Sequence, residues 1–480
     1  MSRITLRSLS PELLSNCLSR LSLHDLTSVS LVSREIQTLA FPSLYQTVYL
    51  CLAPHIEQIS LRLFAENEST RLRVGTNLRH LVFDDRYGDS DDRSVTITRL
   101  QYAISKLERL SHLYWDCSWL PEDPYVFKVF QRSCPALRSV SLRITSERFD
   151  FNDEEYLDSL QRQDEHCSSF NPGPEEYSEL PKPLITMIKR SPNLRTLELD
   201  LRDVSMDHLK WSPDQLCSSL KNTTFPELCV FRALGAAEPE WQSFFEEPDE
   251  SSYRTFFQRH PNLHTISISW IREHSWPIEK AEQLAALFPS LRHFEGPAFI
   301  CQALASSGLA TQLESLSLLD RILEDDEIVE FAENAVEMPN LQSLSFALES
   351  EELDSESLSK VLSLSPSLKK LAVWSVTHDL NELVDILKHA PNLEEFTIYI
   401  DTMLQIVKAV GKTSASELVH ELALQLPNLR MVHDCSQPEL QRRWEIHRTS
   451  ENNVRVAHVQ LVREGPPRNP YPILSETICE

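Results

Sequence analysis

A short phrase returns along most of this chain: a proline, a leucine two residues later, then apolar residues at five and seven. It reads Pro135-Ala136-Leu137 with Val140 and Leu142, and Pro192-Asn193-Leu194 with Leu197 and Leu199. Pro261, Pro339, Pro366 and Pro391 begin further copies, and weaker ones begin at Pro226, Pro289 and Pro427. Two copies lack the proline, at Asn77-Leu78 with Leu81 and Phe83, and at Gln312-Leu313 with Leu316 and Leu318. Alternating apolar residues after the leucine make a short strand with one buried face. The stretch before the proline carries a helical period in several copies. Leu380, Leu383, Val384 and Leu387 are one example. Proline disfavours helical geometry in the residue before it, so it separates helix from strand. Pro339 to Pro366 spans 27 residues and Pro366 to Pro391 spans 25. No such unit buries its apolar face alone, so neighbouring copies must stack.

The strand signature, L-x-x-L-x-L, resembles that of irregular leucine-rich repeats. The fold class expected is therefore α/β: a solenoid of about ten helix–strand units over residues 76–436, with a curved parallel sheet. The competing reading is an α/β domain with unrelated Pro-Asn-Leu turns. Residues 146–183 interrupt the period. Between Glu147 and Glu179 lie 11 acidic and two basic residues, the composition of a mobile loop. Smaller irregularities fall at 235–252 and 408–417. Residues 437–464 alternate as strands do, through Trp444 and Ile446 and through Val454 to Leu461, and predict a hairpin capping the last repeat. Residues 465–480 read as a disordered Pro-rich tail.

The first 50 residues differ. Pro11 to Leu21, a segment from Asp25, and a third from Arg34 predict three short helices. Ser10 suits a helix cap and Pro11 a first turn. Ser22 and Asp25 have capping-box spacing. Leu14, Leu18 and Leu21 share one helix face. So small a unit cannot bury all its leucines, and the surplus must meet a partner or the rest of the chain. The ordered set Leu9-Ser10-Pro11-Glu12-Leu13-Leu14, Asp25-Leu26, Ser30-Leu31-Val32-Ser33-Arg34, Leu39-Ala40 and Leu44-Tyr45 resembles the F-box in its fungal form. The resemblance covers residues 6–50. It departs at Ser10, where the family usually has a second proline. It implies a domain order of F-box at 1–50, a linker or first helical unit at 51–75, and the repeats beyond. It also implies that Leu9, Pro11, Leu14, Leu18, Leu21 and Val32 bind a Skp-family adaptor and, through it, a cullin. The chain would then be the substrate-recognition subunit of an SCF-type ubiquitin ligase, holding its target on the repeats. The alternative is a ligase-independent scaffold.

Composition narrows the rest. The net charge of −25 disfavours nucleic acid and allows a basic protein target. No run approaches the ~20 apolar residues of a membrane span, and no secretion signal opens the chain. Ten scattered cysteines without CxxC spacing suggest reduced thiols in an intracellular setting, cytoplasmic or nuclear. Eight isolated glycines form no phosphate loop, and no catalytic or metal-binding motif stands out, so the chain reads as a non-enzyme without cofactor. If strands line an open face, the residues between buried leucines form the target platform. These are Arg143, then Glu198 and Asp200, then Lys370 and Trp374, then Glu395 and Tyr399.

Overall fold

The computed structural model describes residues 10–50, 53–67, 69–84, 101–117, 125–144, 180, 182–200, 211–234, 239–268, 281–318, 325–346, 355–373, 379–398, 403, 406–407, 414–434, 440–448 and 454–462. The chain forms two compact units. One comprises Met1–Trp211 and Asn222–Leu228, the other Ser212–Lys221 and Cys229–Glu480.

The first unit opens with helices α1 (Pro11–Leu18), α2 (Leu23–Ser30) and α3 (Arg34–Leu44). Each begins at a serine. Ser10 accepts from the Leu13 N–H, Ser22 from Asp25 and Ser33 from Ile36, satisfying donors that a helix start leaves orphaned. The Ser22 hydroxyl also donates to the Asp25 carboxylate at 2.7 Å. Leu14, Leu18, Leu26 and Ala40 close a small core, with Val29, Ile36, Leu39 and Leu44 packed against it. Five parallel strands follow in chain order: β1 (Thr47–Leu50), β2 (His80–Asp84), β3 (His112–Cys117), β4 (Ser139–Ile144) and β5 (Thr196–Asp200). The sheet thus begins inside the segment assigned to the F-box, well before residue 76. The expected first helical unit is the helix Ala53–Ala65. A strand at His112 was not foreseen, because its copy has neither the proline nor an amide residue before its leucine, Leu110.

Among its described residues the second unit holds eight parallel strands: β6 (Val230–Leu234), β7 (Thr265–Ile268), β8 (His293–Gly296), β9 (Ser315–Leu318), β10 (Ser343–Phe346), β11 (Lys370–Val373), β12 (Glu395–Ile398) and β13 (Met431–Asp434). Then β14 (Leu440–Arg448) pairs antiparallel with β13 and forms a hairpin with β15 (Val454–Val462). The Trp444 indole donates to Ser416 at 3.2 Å. Arg448 donates to the carbonyls of Ala423 and Leu426 at the end of the helix Ala415–Gln425. A cation there satisfies carbonyls the helix leaves open.

One geometry repeats in both units. The leucine of each phrase donates its N–H to the residue before the proline, as Leu137 does to Cys134, Leu341 to Met338 and Leu393 to Ala390. Proline thus takes the second place of a β-turn, where its fixed φ is favoured. It does not start the strand, which begins four residues later. The carbonyl just ahead of a strand then accepts two N–H groups from the next copy. Arg79 O takes Ser111 N at 2.8 Å and His112 N at 2.9 Å, and Glu314 O takes Gln342 N at 2.8 Å and Ser343 N at 3.2 Å. The asparagine of the phrase reaches back one copy: Asn392 Nδ2 donates to Pro366 O at 2.9 Å and Asn428 Nδ2 to Pro391 O at 2.8 Å. Asn340 and Gln312 make the same bond to Thr311 O and Pro289 O.

The inward leucines behave as the alternation requires. Leu194, Leu197 and Leu199 are buried in the first unit, and Leu393, Phe396 and Ile398 in the second. Each fully buried aliphatic or aromatic side chain contributes roughly 1.5–3 kcal/mol. This is the arrangement a leucine-rich-repeat array predicts, one parallel strand per copy. Two boundaries move. Residues 182–183, taken as loop, open the helix Lys182–Lys189. The irregular stretch 235–252 contains the helix Trp241–Glu246, whose Trp241, Phe244 and Phe245 are buried, with Trp241 edge-on to Phe299 at 5.2 Å. Residues 146–179 and 465–480 lie outside the described residues.

Candidate interaction surfaces

In the three-helix unit, burial separates two sets of apolar residues. Leu14 and Leu18 face inward against Leu26 and Ala40, so they are core residues and not a surface. Of the expected Leu14–Leu18–Leu21 face, Leu14 and Leu18 are thus turned into the unit's own core, and Leu21 stays exposed. About 35 residues of helix need an interior before they can present anything. The exposed set is Leu13 (57% exposed), Leu21 (40%), Leu31 (80%) and Val32 (71%). Pro11 is also exposed, and Leu9 lies outside the described residues. Leu13 and Leu31 were not singled out from the sequence. Their signal was a leucine about 100° round α1 from Leu14 and another in the turn between α2 and α3.

On the strand faces the outward residues form rows. In the second unit the middle row runs Arg232, Ser267, Glu295, Ser317, Ser345, Ala372, Thr397, His433. Its first six members are buried. Arg232 Nη2 meets the Glu295 carboxylate at 3.1 Å. Ser267 donates to Glu295 at 2.9 Å and accepts from Arg232 Nε at 3.2 Å. This closes β6 to β8 into a polar network, so the expected open platform does not extend along the whole sheet. Openness returns towards β11 to β14. Lys370 and Glu395 are register partners bonded at 3.3 Å, and His433 stands 4.0 Å from Glu395. Arg443 pairs with Glu445 at 2.8 Å. Trp374 and Tyr399 lie outside the described residues. In the first unit Glu198 and Asp200 are half-buried on β5, and the register sets Arg143 opposite Asp200.

The adjoining row of the first unit carries His80 and His112, register partners with ring centroids 4.3 Å apart. Thr47 Oγ1 lies 3.2 Å from His80 Nδ1, and Ser111 Oγ 2.8 Å from His112 Nδ1. Burial, then the charges of His80 and Arg138, push His112 down to about 4. Burial and Arg79 lower His80. Both rings are therefore neutral hydrogen-bonding groups near pH 7. Burial pushes the Cys134 thiol up to about 12, which makes it a poor nucleophile. Among the described residues no group of three or more His, Cys, Asp or Glu is placed to hold a metal ion. Among them, too, no helix is long and apolar enough to cross a membrane.

No family model matches the chain, and no curated protein matches it. Solved structures do. A chain of the yeast Rad7–Elc1 complex is similar at 15% identity and a TM-score of 0.42, over 81% of this chain and 88% of that one. The leucine-rich-repeat protein LegL7 of Legionella pneumophila is similar at 12% identity and a TM-score of 0.32, over 70% and 87%. A chain of the TLR13–ssRNA13 complex is similar at 12% identity and a TM-score of 0.27, over 83% and 55%.

Proposed function

We propose that this chain is a substrate-recognition subunit of an SCF-type ubiquitin ligase. Its three N-terminal helices dock a Skp-family adaptor and thereby a cullin, and its repeats hold a target protein. The observation that carries the reading is the exposed set Leu13, Leu21, Leu31 and Val32 on a helical unit whose own core is already closed. Apolar side chains beyond what a small core can take mark a docking surface. The F-box wording of the same residues names the partner class. Catalysis belongs to other subunits in this reading. The chain acts by raising the local concentration of target lysines near the loaded enzyme. The setting is intracellular, cytoplasmic or nuclear. The target contacts the open end of the strand face, around Lys370, Glu395, His433 and Arg443.

The test is capture of the Skp-family adaptor by the wild type beside a Leu31→Asp, Val32→Asp double variant. Both positions are exposed, so the variant keeps its fold while losing the apolar contact. Loss of capture with unchanged circular dichroism supports docking. Equal capture by both, or none by either at low salt, sinks it and leaves a repeat scaffold.

A further inference from the structure

The residue just ahead of each strand forms a row of its own across the sheet. In the first unit it runs Gln46, Arg79, Ser111, Arg138, Arg195. Ser111 N bonds Arg79 O at 2.8 Å, Arg138 N bonds Ser111 O at 2.7 Å and Arg195 N bonds Arg138 O at 2.6 Å. Successive members are therefore one strand spacing apart, about 5 Å. Arg138 and Arg195 are neighbours, and Arg79 stands about 10 Å from Arg138. Arg138 and Arg195 are exposed. Arg79 is half-buried and held over the adjacent turn by a bond from Nη1 to Arg109 O at 3.2 Å.

The same row in the second unit is built differently. It reads Cys229, His264, Arg292, Glu314, Gln342, Lys369, Glu394, Arg430. From Arg292 onward it mixes cations and carboxylates, and Arg292–Glu314 and Arg430–Glu394 close as ion pairs at 3.1 Å. On the first unit's row a carboxylate is seated, that of Glu227. It meets Arg195 Nε at 2.7 Å, and its carboxyl is held low by Arg195 and, more weakly, by Arg138. Beside that pair, the guanidinium groups of Arg79 and Arg138 lie along the same row. They sit in a chain whose net charge is −25.

We infer that the Arg79–Arg138–Arg195 row is a docking edge for an Asp/Glu-rich segment of a partner protein. Glu227 already shows how a carboxylate seats against this row. Guanidinium groups favour carboxylates through paired, charge-assisted bonds. In an extended segment, alternate side chains lie about 7 Å apart on one side. Two or three carboxylates within five residues therefore span the row. Duplex nucleic acid would meet the same arginines but also the field of the whole acidic chain, which repels it. The inference rests on reading the repeats as a protein-binding array and assigns one edge of it a partner chemistry.

The probe is a fluorescein-labelled peptide of four Glu-Ser repeats, read by fluorescence anisotropy on the full chain, with a Gln-Ser peptide and an oligo-dT strand beside it. The expected result is binding of the acidic peptide alone, weakened by added salt. It should fall at least tenfold in an Arg138→Glu, Arg195→Glu variant and change less than twofold in Lys369→Glu, which alters the self-neutralised row. Should the charge reversal perturb folding by circular dichroism, Arg138→Gln with Arg195→Gln decides, with a smaller loss expected. Equal affinity in the arginine variants overturns the inference, as does preference for oligo-dT. Binding that emerges only after residues 146–179 are deleted overturns it as well, by assigning the row to the chain's own acidic segment. Adaptor capture is measured on the same preparations. A wild type that captures adaptor but ignores the peptide overturns this inference alone. One that binds the peptide but no adaptor overturns the ligase reading alone.

Discussion

Asn392 donates its side-chain amide to the carbonyl of Pro366, one copy back, at 2.9 Å. The bond joins two elements of the repeated phrase that look independent in the sequence. The proline's carbonyl is left open by the turn, and the next copy's asparagine satisfies it. Asn392→Ala should therefore lower stability by about 1 kcal/mol, the usual net worth of such a bond. Asn392→Gln should recover part of it, since Gln312 makes the equivalent bond to Pro289. Thermal melts of the three proteins check this. An unchanged midpoint in the alanine variant would show that water replaces the amide without cost.

Glu295 and Arg232 are the deepest ion pair among the described residues, with side chains 0% and 9% exposed. Removing one partner strands a buried charge, which costs about 3–5 kcal/mol. Glu295→Ala should accordingly be far less stable to urea than wild type. Adding Arg232→Met should restore much of the loss, since a pair replaced by apolar groups is often neutral. If the double variant is no better than the single, the network's worth lies in Ser267 and its neighbours.

Gly296 takes an inward strand position, register partner of Leu318. A Cβ there would stand 2.8 Å from the ring of Phe294, which is itself buried. Gly296→Ala should destabilise by about 1–3 kcal/mol through overpacking. Coupling it with Phe294→Leu should relieve the clash. A fall in urea midpoint for the single variant that the second change partly reverses is the expected pattern.

His260 is buried, with Nδ1 2.7 Å from the Phe256 carbonyl, and burial takes its pKa down to about 4. An unfolded histidine titrates near 6.5. Between these values the unfolded chain binds a proton that the folded chain refuses. Stability from this group is thus complete above about pH 6.5 and is lost as pH falls towards 4. His260→Gln should flatten that part of the pH dependence while lowering stability at pH 7. Melting midpoints from pH 4 to 8 for both proteins give the comparison, and parallel curves would contradict it.

The array was legible because its signal is periodic. Leu194, Leu197 and Leu199 declare one inward face, and Asp379 marks a helix start that its bonds to the Asn381 and Glu382 N–H groups make real. Copies were missed or weak where a physical substitute stands in for the expected residue. Arg109 stands where an amide precedes the leucine in the other copies without proline, and Gly296 leaves room for the ring of Phe294. The surfaces were harder to read. Periodicity groups Leu14, Leu18 and Leu21 on a face but does not say which way the face turns. Packing against Leu26 and Ala40 decided that for Leu14 and Leu18. The burial of Ser267, Glu295 and Ser317 likewise depends on neighbours that no local pattern encodes. The arginine row escaped because its members lie 57 residues apart along the chain at Arg138 and Arg195 and adjoin only through the sheet.

Ser139 meets its register partner Thr196 across 57 residues of chain, whereas His112 meets Ser139 across 27, yet the two pairings have the same hydrogen-bond form. Within each unit a parallel strand bonds only to strands next to it in chain order. The thread between them is thus a free variable. Extra sequence can be spliced between two copies without re-addressing any pairing elsewhere, and a whole copy can be duplicated or dropped with repair needed only at its two seams. For such an array, the length of the strand face becomes something that changes by counting, while the chemistry of each rung changes by single substitutions.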